Sequence, residues 1–463
     1  MAPNDQSAGC NQTPFLVTFD AMNLGAFILS ALWLTVFSPS VFANDLHDAK
    51  AALERRDYES ALKLLDNALK TMPGQAAVYE MRAVTQAHRG RADEALADYD
   101  QAVRLTTGEQ PDLLRRIAIG VLSALLAHDQ EFVRGAAVTA LADLGPRGIQ
   151  SPLNAALRDR SPRVRSLAIQ TASRLGLAAS LPAVREAVKD PDASVRLAAL
   201  ATLGLSKAPA VVPIVKQGLR DHDQLAQLVA REALILLKQP ESLQPLIAAT
   251  RDFSPAVRGV AVGILGRLKE PSALPALSLS LHDPDPSVRS FAAGALGDMG
   301  SAAAIPELLE AMTDENPYVR NFAAASLGRL RAKEAIHALW EAVKDPDTLV
   351  RLAAAEALVR LGEGQAALIF RELAKDPDYG VRSAAVGAMG RLAPAGAMTF
   401  ALESLDDPAP RVRVAAVQAL GKTGGQAAIP YLRRALLDKD PTVRAFAAGH
   451  LGALAGEKSS HAS

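Results

Sequence analysis

Cysteine, aromatic residues and an excess of either charge are all scarce in this 463-residue chain, and each shortage excludes a class of site. Cys10 is the one cysteine, so neither an intramolecular disulfide nor a cysteine-based metal cluster can form. Lys plus Arg and Asp plus Glu both number 50, so no long-range field steers the chain toward nucleic acid or an anionic membrane. Aromatic residues are 4 % of the chain while Ala and Leu dominate, and this composition favours helix over strand.

A long apolar run is also missing from the N-terminal region. The stretch LGAFILSALWLTVF at residues 24–37 is shorter than the roughly 20 residues that a bilayer span needs. It precedes Val41 and Ala43, which occupy the minus-three and minus-one positions of a signal-peptide cleavage site before Asn44. We therefore predict export, with the periplasm as the compartment, and assign residues 1–43 to a signal peptide. Two points stay open: residues 24–42 form an uncleaved membrane anchor in the alternative interpretation, and the start is either Met1 or Met22.

Residues 44–108 contain a repeat of 34 residues. DYESALKLLDNALKTMP at 57–73 and GRADEALADYDQAVRL at 90–105 place Ala61 and Ala95, and Ala68 and Ala102, 34 residues apart. Small residues at these places let paired helices approach closely. The pattern resembles the tetratricopeptide repeat, which implies two helix-turn-helix units. Two units are fewer than the three that usually stand alone, so we expect them to pack on the adjoining repeats.

A second repeat, of 31 residues, runs from about Pro111 to Ala455 and is marked by a Val-Arg pair. We call its members the ladder arginines. They are separated by 31 residues or, once, by 62, because Gln227 stands at the missing place. The chain thus holds eleven units, and self-similarity at this period indicates a solenoid. The ladder arginines are Arg134, Arg165, Arg196, Arg258, Arg289, Arg320, Arg351, Arg382, Arg413 and Arg444.

Fixed positions around the ladder arginine predict where each helix begins. Four residues before it lies Ser, Asp or Asn in many units, as at Ser161 and Asn316, which suits a helix N-cap. Three residues before it is often proline, which is favoured in the first helical turn. Six residues before it stands an aspartate in ten units: Asp159, Asp190, Asp221, Asp252, Asp283, Asp314, Asp345, Asp376, Asp407 and Asp438. The arginine therefore lies early in the second helix of its unit.

Apolar residues follow the ladder arginine with helical spacing. They fall at minus one, plus two, plus three, plus six and plus seven, which is one stripe of a helix. The plus-three residue is alanine in all eleven units, from Ala137 to Ala447. A methyl group at this depth predicts helices at the close end of the usual ~8–10 Å spacing.

Period, proline, aspartate and Val-Arg together resemble the short HEAT-like repeat of the phycobilisome lyase type. The resemblance implies an all-α, right-handed α-solenoid of stacked helical hairpins, with two tetratricopeptide-like units at 44–108 and eleven HEAT-like units at 111–455. We expect a disordered tail at 456–463. The resemblance also implies a binding role, since most proteins with this repeat are scaffolds.

The two rows of charged residues could serve chemistry or structure. Catalysis needs one differently shaped site, whereas ten equivalent positions indicate a repeated structural role. Each arginine can reach the aspartate of its own or of the neighbouring turn, and such partly buried pairs protect each other from being buried alone. We predict a structural ladder. The fourth unit, with Ala226-Gln227 in place of Val-Arg, is either a drifted copy or a local bend with a separate role.

Positions plus one and plus five lie off the apolar stripe and share one helix face. Stacked second helices commonly line the inner curve of a solenoid, so this face is our candidate partner surface; an ordinary solvated face is the alternative. Tyr and Trp anchors are nearly absent from it. Its residues are Ser166, Gln170, Glu232, Asn321, Glu356, Ser383 and Gln418.

Motifs that carry catalysis are not found in the sequence. The eight histidines are scattered, and the chain lacks the His-Glu dipeptides through which the HEAT-like deoxyhypusine hydroxylase binds iron. Gly-Lys-Thr at 421–423 lacks the upstream glycine of a nucleotide-binding loop. We therefore predict no catalytic, cofactor or metal residues. The predicted function is a non-catalytic scaffold or adaptor for other proteins, exported to the cell envelope, without nucleic acid and touching a membrane only through an uncleaved N-terminal segment. The rival is a bilin-lyase-like or chaperone-like assembly subunit.

Overall fold

The computed structural model describes residues 39–178, 180–239, 243–392 and 396–461. Every regular element in these ranges is a helix, which confirms the all-α prediction. The chain forms two compact units, one up to Pro73 and one from Gly74 onward. The apolar run at 24–37 lies outside the described residues. Among the helices that are described, none is both long and apolar enough to cross a membrane.

The first unit contains a helical hairpin made of α1 (Pro39–Glu54) and α2 (Tyr58–Thr71). Asp57 caps α2, because its carboxylate accepts a hydrogen bond from the backbone N–H of Ser60 at 3.1 Å. Ala61, Leu65 and Ala68 on α2 are buried. The two small residues of the first 34-residue repeat therefore lie where close helix packing needs them.

The second unit begins with a further hairpin, α3 (Ala76–His88) and α4 (Ala92–Thr106). Helix α3 packs against α5 (Pro111–Leu126), the first helix of the 31-residue array. The approach is close at Gly120, where an added Cβ would lie 2.8 Å from the Cβ of Ala87. This hairpin thus covers the beginning of the array.

The array continues as alternating first and second helices. Short 3₁₀ turns extend many of the first helices, which explains why these look abbreviated in the sequence. The remaining helices are α6 (Glu131–Leu144), α7 (Gln150–Ala156), α8 (Pro162–Arg174), α9 (Pro182–Glu186), α10 (Ala193–Leu205), α11 (Val212–Gln217), α12 (Gln224–Leu236), α13 (Gln244–Ala249), α14 (Pro255–Leu268), α15 (Leu274–Ser280), α16 (Pro286–Met299), α17 (Ile305–Ala311), α18 (Pro317–Arg329), α19 (Ile336–Ala342), α20 (Thr348–Leu361), α21 (Ala367–Leu373), α22 (Tyr379–Leu392), α23 (Ala397–Glu403), α24 (Pro410–Thr423), α25 (Ile429–Ala435) and α26 (Pro441–His461).

The second helices begin where the sequence predicts. Prolines three residues before the ladder arginine open α8, α14, α16, α18, α24 and α26. The residue just before them acts as the cap in several units; Ser161 accepts from the N–H of Val164, and Asn316 accepts from that of Tyr318. The alanine at plus three is completely buried in all eleven units, from Ala137 to Ala447. These observations confirm the register of the repeat.

The residue at plus eight sets the distance between successive second helices. In most units it is glycine, and a Cβ added at Gly328 would lie 2.7 Å from the Cα of Ala357 on the next second helix. Ile235 and Val359 occupy this position in the fourth and eighth units. There α12 and α14, and α20 and α22, pack less closely than the glycine-bearing neighbours. We call these two places the wide joints.

The array closes on itself, which the sequence did not lead us to expect. Helix α26, from the last 31-residue repeat, packs against α5 and α6 of the first 31-residue repeat. The buried Arg115 on α5 ties this contact together, because its guanidinium donates to the carbonyl oxygens of Leu144 at 2.8 Å, Gly452 at 3.1 Å and Arg147 at 2.8 Å. Small residues allow the approach; a Cβ added at Gly449 would lie 2.6 Å from the carbonyl oxygen of Ala140.

A second contact joins the last repeat of the array to the hairpin α3–α4, which covers the beginning of the array. Arg433 on α25 forms an ion pair with Asp100 on α4 and lies over the ring of Tyr99, 5.0 Å from its centroid. The closure also extends the last helix. Residues 456–461 of the predicted tail continue α26 to His461, and Gly456 lies against the guanidinium of Arg115.

Candidate partner surface and charged ladder

Each ladder pair joins one repeat unit to the next. In the seventh unit the Nε and Nη2 of Arg320 donate to the two carboxylate oxygens of Asp345 at 2.8 and 2.9 Å. The Nη1 of the same guanidinium donates to the carbonyl oxygens of Asp314 and Glu315, in its own unit, at 2.8 and 3.1 Å. The arginine therefore uses its carboxylate partner to reach the neighbouring turn and its carbonyl partners to hold its own turn.

The same arrangement repeats with little variation. The aspartate also accepts a hydrogen bond from the backbone N–H two residues later, as Asp314 does from Asn316 at 2.8 Å, so it shapes the turn before the second helix. The described chain contains eight such ion pairs: Arg134–Asp159, Arg165–Asp190, Arg196–Asp221, Arg258–Asp283, Arg289–Asp314, Arg320–Asp345, Arg382–Asp407 and Arg413–Asp438.

Electrostatics keep Arg382 and Asp407, one of these pairs, ionised. The hydrogen bond from Arg382 lowers the pKa of the Asp407 carboxyl below its ordinary value, although burial opposes the shift. The same hydrogen bond raises the pKa of Arg382. Because both pKa values move away from neutrality, neither partner is suited to exchange protons near pH 7. This geometry supports a structural role for the ladder.

The ladder is broken at both wide joints. Gln227 keeps only the inner contact, since its side-chain N–H donates to the carbonyl oxygen of Asp221 at 2.8 Å, while Asp252 accepts instead from Gln224. Within the described chain, Arg351 makes no ion pair with Asp376; its Nη2 donates to the hydroxyl of Thr348 at 2.8 Å. The expectation of a ladder pair at Asp376 is therefore wrong. The bulky residue at plus eight explains this, because it holds the next helix beyond the reach of the arginine.

Arg444 ends the ladder for a different reason. It lies in the eleventh unit and forms no ion pair with an aspartate of the described residues; its Nη1 donates to the carbonyl oxygens of Asp438 and Lys439. Asp376 and Arg444 therefore hold their own turns and form no ion pair between units, whereas Asp252 is joined to the preceding unit by the neutral side chain of Gln224. The fourth unit has lost the pair but kept the turn, which favours a drifted copy located at a local widening.

The predicted partner surface is only partly exposed. Gln170 is exposed, whereas Ser166, Asn321, Glu356, Ser383 and Gln418 are half-buried. Glu232 departs from the prediction: it is 5 % exposed and accepts from the Nε and Nη2 of Arg267 at 2.8 and 2.9 Å. The reason is that plus five in one unit faces plus nine in the next. Glu356 faces Arg391 in the same way.

Two of the predicted residues, Asn321 and Glu356, lie together in a groove between α18 and α20. Its volume is about 250 Å³. Asn321 also donates to the carbonyl oxygen of Leu349 at 2.9 Å, which fixes one wall. We call this the α18–α20 groove. Its floor is apolar, formed by Ala325, Leu352, Ala353 and Ala357, and its rim is polar, formed by Asn321, Arg329, Glu356 and Arg360.

Two phenylalanine side chains on α16 and α18 are exposed, which the sequence did not predict. Phe291 and Phe322, at plus two, were assigned to the buried stripe but are 50 % and 38 % exposed. Each ring lies across the preceding second helix, where a glycine leaves room: Phe291 covers Gly259 and Phe322 covers Gly294. Phenylalanine at plus two, following a unit with glycine at plus one or plus five, was the available signal.

The described residues contain no cluster of His, Cys, Asp and Glu suited to a metal ion. The Gly-Lys-Thr motif forms the last turn of α24 and not a phosphate-binding loop before a helix. What the geometry offers is a set of surfaces.

Comparison with family models identifies the repeat. The model described as HEAT repeats matches residues 118–199, 149–235, 186–252, 243–315, 305–390 and 398–461. The first five matches overlap, and the six together cover more than half of the chain. None of the curated proteins compared with the chain matches it.

Solved structures with a similar arrangement of helices include three named proteins. Human deoxyhypusine hydroxylase with glycerol is 23 % identical, covering 54 % of this chain and 98 % of its own, with a TM-score of 0.30. The CpcE–CpcF complex of phycocyanin lyase from Nostoc sp. PCC7120 is 21 % identical, covering 57 % and 91 %, with a TM-score of 0.33. Kap95p, solved with RanGDP, is 15 % identical, covering 89 % and 60 %, with a TM-score of 0.34.

Proposed function

The chain belongs to the HEAT-repeat family, and from this premise we propose that it is a non-catalytic scaffold that binds another protein at the α18–α20 groove. HEAT-repeat arrays present extended surfaces on which other proteins bind. The observation that carries the proposal is the groove itself, which combines an apolar floor with a rim of Asn321, Arg329, Glu356 and Arg360. Protein interfaces have the same layout, with a buried apolar centre inside a polar rim.

The surroundings of the groove supply further contact area. Tyr318 and Leu349 lie at the N-terminal ends of α18 and α20, and both side chains are exposed. Phe322 is on α18 itself. Aromatic side chains that a partner can bury are the usual centres of binding energy. The surface therefore offers more exposed apolar side chains to a partner than the residues at plus one and plus five alone suggest.

Site-specific photocrosslinking tests this proposal. With p-benzoylphenylalanine at position 321, irradiation in the native cell should yield a discrete adduct, which mass spectrometry then identifies. The matched control carries the same group at Lys333, an exposed position before α19 outside the groove. Ala325→Arg, which fills the groove floor, should abolish the adduct from position 321. Equal adducts from both positions, or an adduct that survives Ala325→Arg, would argue against the groove.

The proposal includes two tetratricopeptide-like units at 44–108. Their support is the position of the helix pairs α1–α2 and α3–α4 and the burial of Ala61, Ala68, Ala95 and Ala102. The second pair then caps the HEAT-repeat array, because α3 packs on α5 and shields the apolar face that an unpaired first unit would expose.

We also propose export to the cell envelope, with the periplasm as the compartment. The support is the sequence of residues 24–43. Cleavage before Asn44 would remove the first residues of α1, which begins at Pro39. N-terminal sequencing of the mature protein should then start at Asn44; an intact N-terminus in the membrane fraction would favour the anchor formed by residues 24–42.

The second candidate function is a bilin-lyase-like or chaperone-like assembly subunit. Its support is the combination of Val-Arg, proline and aspartate in a 31-residue repeat, which resembles that of phycobilisome lyase subunits. Coexpression with a bilin and an acceptor protein separates the candidates. A scaffold leaves the absorption spectrum of the acceptor unchanged, whereas an assembly subunit produces a bilin band on it.

A further inference from the structure

Basic side chains gather at the C-terminal ends of the second helices from α14 to α20. They line an open groove of about 690 Å³, which we call the basic groove. Asp298 is the acidic residue among those that line it. The basic residues are Arg267, Lys269, Arg329, Arg331 and Arg360. In a chain whose charges balance over its whole length, this is a local excess of positive charge.

These cations are only partly neutralised by their neighbours. The Nε of Arg329 lies 3.4 Å from a carboxylate oxygen of Asp298, and the guanidinium of Arg360 lies 4.0 Å from Glu356. Both distances exceed those of the ladder pairs, and both arginine side chains are more than one-third exposed. Arg267 is better paired, through Glu232. The outer part of the groove therefore offers positive charge to a partner.

Two of these residues lie beyond the last turn of their helices, and one of them, Arg331, also donates through its Nη1 to the carbonyl oxygen of Arg360 at the end of α20. A cation in the last turn of a helix is favoured by the helix dipole, and this accounts for Arg267, Arg329 and Arg360. Lys269 and Arg331, however, follow their helices with φ of 58° and 56°, a left-handed conformation that glycine adopts at lower cost. In the sixth and eighth units the same position holds Gly300 and Gly362. Lys207 and Lys238 adopt the same left-handed conformation in the third and fourth units, so a basic residue recurs at this position, and Lys269 and Arg331 are the two that line the groove.

The basic groove and the α18–α20 groove form one continuous surface, because Arg329 and Arg360 line both. Along this surface an apolar floor leads into a cluster of cations. We propose, on the basis of the scaffold function above, that the surface binds an acidic segment of a partner protein. The apolar side chains of the segment cover the floor at Ala325 and Leu352, and its carboxylates pair with Lys269 and Arg331.

Charge arrangement favours an acidic protein segment over a nucleic acid. Glu356 lies in the α18–α20 groove, where it would repel a phosphate backbone but can accept hydrogen bonds from peptide N–H groups. A nucleic acid also gains most of its affinity from many neutralised phosphates. A chain with no net charge and one short basic stretch is poorly suited to that mode.

Binding of labelled probes to the full chain tests the inference. The probes are a fluorescent peptide rich in Glu and Leu, the same peptide with Gln for every Glu, and a single-stranded oligodeoxynucleotide, each followed by fluorescence anisotropy. The test variant is Lys269→Glu with Arg331→Glu. The matched control, Lys333→Glu with Lys375→Glu, makes the same change of charge at positions elsewhere on the array.

We expect the Glu-rich peptide to bind, the Gln peptide to bind at least about tenfold more weakly, and the test variant to lose about tenfold in affinity, since each tenfold step corresponds to about 1.4 kcal/mol. The control variant should bind like the parent protein. Equal binding of both peptides, equal losses in both variants, or tighter binding of the oligonucleotide would overturn the inference. The crosslink from position 321 is independent of peptide charge, so a partner caught there without an acidic segment would refute this inference and leave the scaffold function standing.

Discussion

Gly449→Leu is expected to separate the two ends of the array and to lower the melting temperature, whereas Gly263→Leu is expected to change neither end contact nor stability by much. Both glycines stand at plus five of a second helix, so the gain in helix propensity, roughly 1 kcal/mol, is common to the two variants. The pair therefore isolates the steric effect of the side chain at the closure.

The surroundings of the two glycines differ sharply. A Cβ at position 449 would lie 2.6 Å from the carbonyl oxygen of Ala140 on α6, and backbone of this kind yields only if the helices move apart. At position 263 the nearest neighbour is the guanidinium of Arg267, 3.5 Å away at the end of a flexible side chain. Overpacking in a well-packed contact typically costs about 1–3 kcal/mol, and separating α26 from α5 and α6 adds exposure of apolar surface.

Two measurements check this prediction together. Differential scanning calorimetry should show a lower melting temperature for Gly449→Leu alone, and small-angle X-ray scattering should show a larger radius of gyration for the same variant. A compact, fully stable Gly449→Leu protein would contradict the closure between α26 and the first unit of the array. Gly263→Leu must keep the radius of the parent for the comparison to hold.

Arg320→Ala is expected to lower the free energy of unfolding by about 2–3 kcal/mol while the protein stays folded, and Arg351→Ala by less than about 1 kcal/mol. Both arginines stand at the same place in their units and both donate to the carbonyl oxygens of their own turn. Only Arg320 also holds a carboxylate of the next unit. Its removal leaves Asp345 largely buried without its guanidinium, which is the costly part of breaking such a pair.

Urea unfolding of the two variants gives the difference directly. The further variant Arg320→Ala with Asp345→Ala should recover part of the loss, because it removes the uncompensated carboxylate as well. Equal destabilisation by Arg320→Ala and Arg351→Ala would show that the contacts within one turn, and not the ion pair between units, carry the stability of the ladder.

Local features of the fold could be predicted from the sequence because each depends on a few neighbouring residues. The caps at Ser161 and Asn316, the prolines that open the second helices and the buried alanines at plus three all follow from helix geometry alone. The sequence left open whether each ladder arginine binds the turn of its own unit or that of the neighbouring unit. In the structure it binds carbonyl oxygens of its own turn and, in most units, the aspartate carboxylate of the next turn. That assignment required the distance between units, which no single unit encodes.

Features that depend on several units at once could not be predicted in the same way. Whether the ends of the array meet is set by the sum of many small rotations between neighbours, so closure through Arg115 is invisible in any one repeat. Glu232 was placed on an open surface because the facing Arg267 belongs to the next unit. Ile235 and Val359 were present in the sequence, but their effect on spacing emerges only beside the glycines of the other units.

Because its ends are in contact, the array is a closed loop, and the two wide joints are the places where it can act as a hinge. The hinges separate an arc running from α14 to α20, which holds the α18–α20 groove and the cations of the basic groove, from the rest of the loop. In an open array each wide joint could bend independently. In a closed array, a change of the angle between helices at Val359 requires a compensating change at Ile235 or in the contact between α26 and α5 near Arg115. A partner that bound the arc and changed the angle at one wide joint would therefore also have to change the other joint or the contact at Arg115.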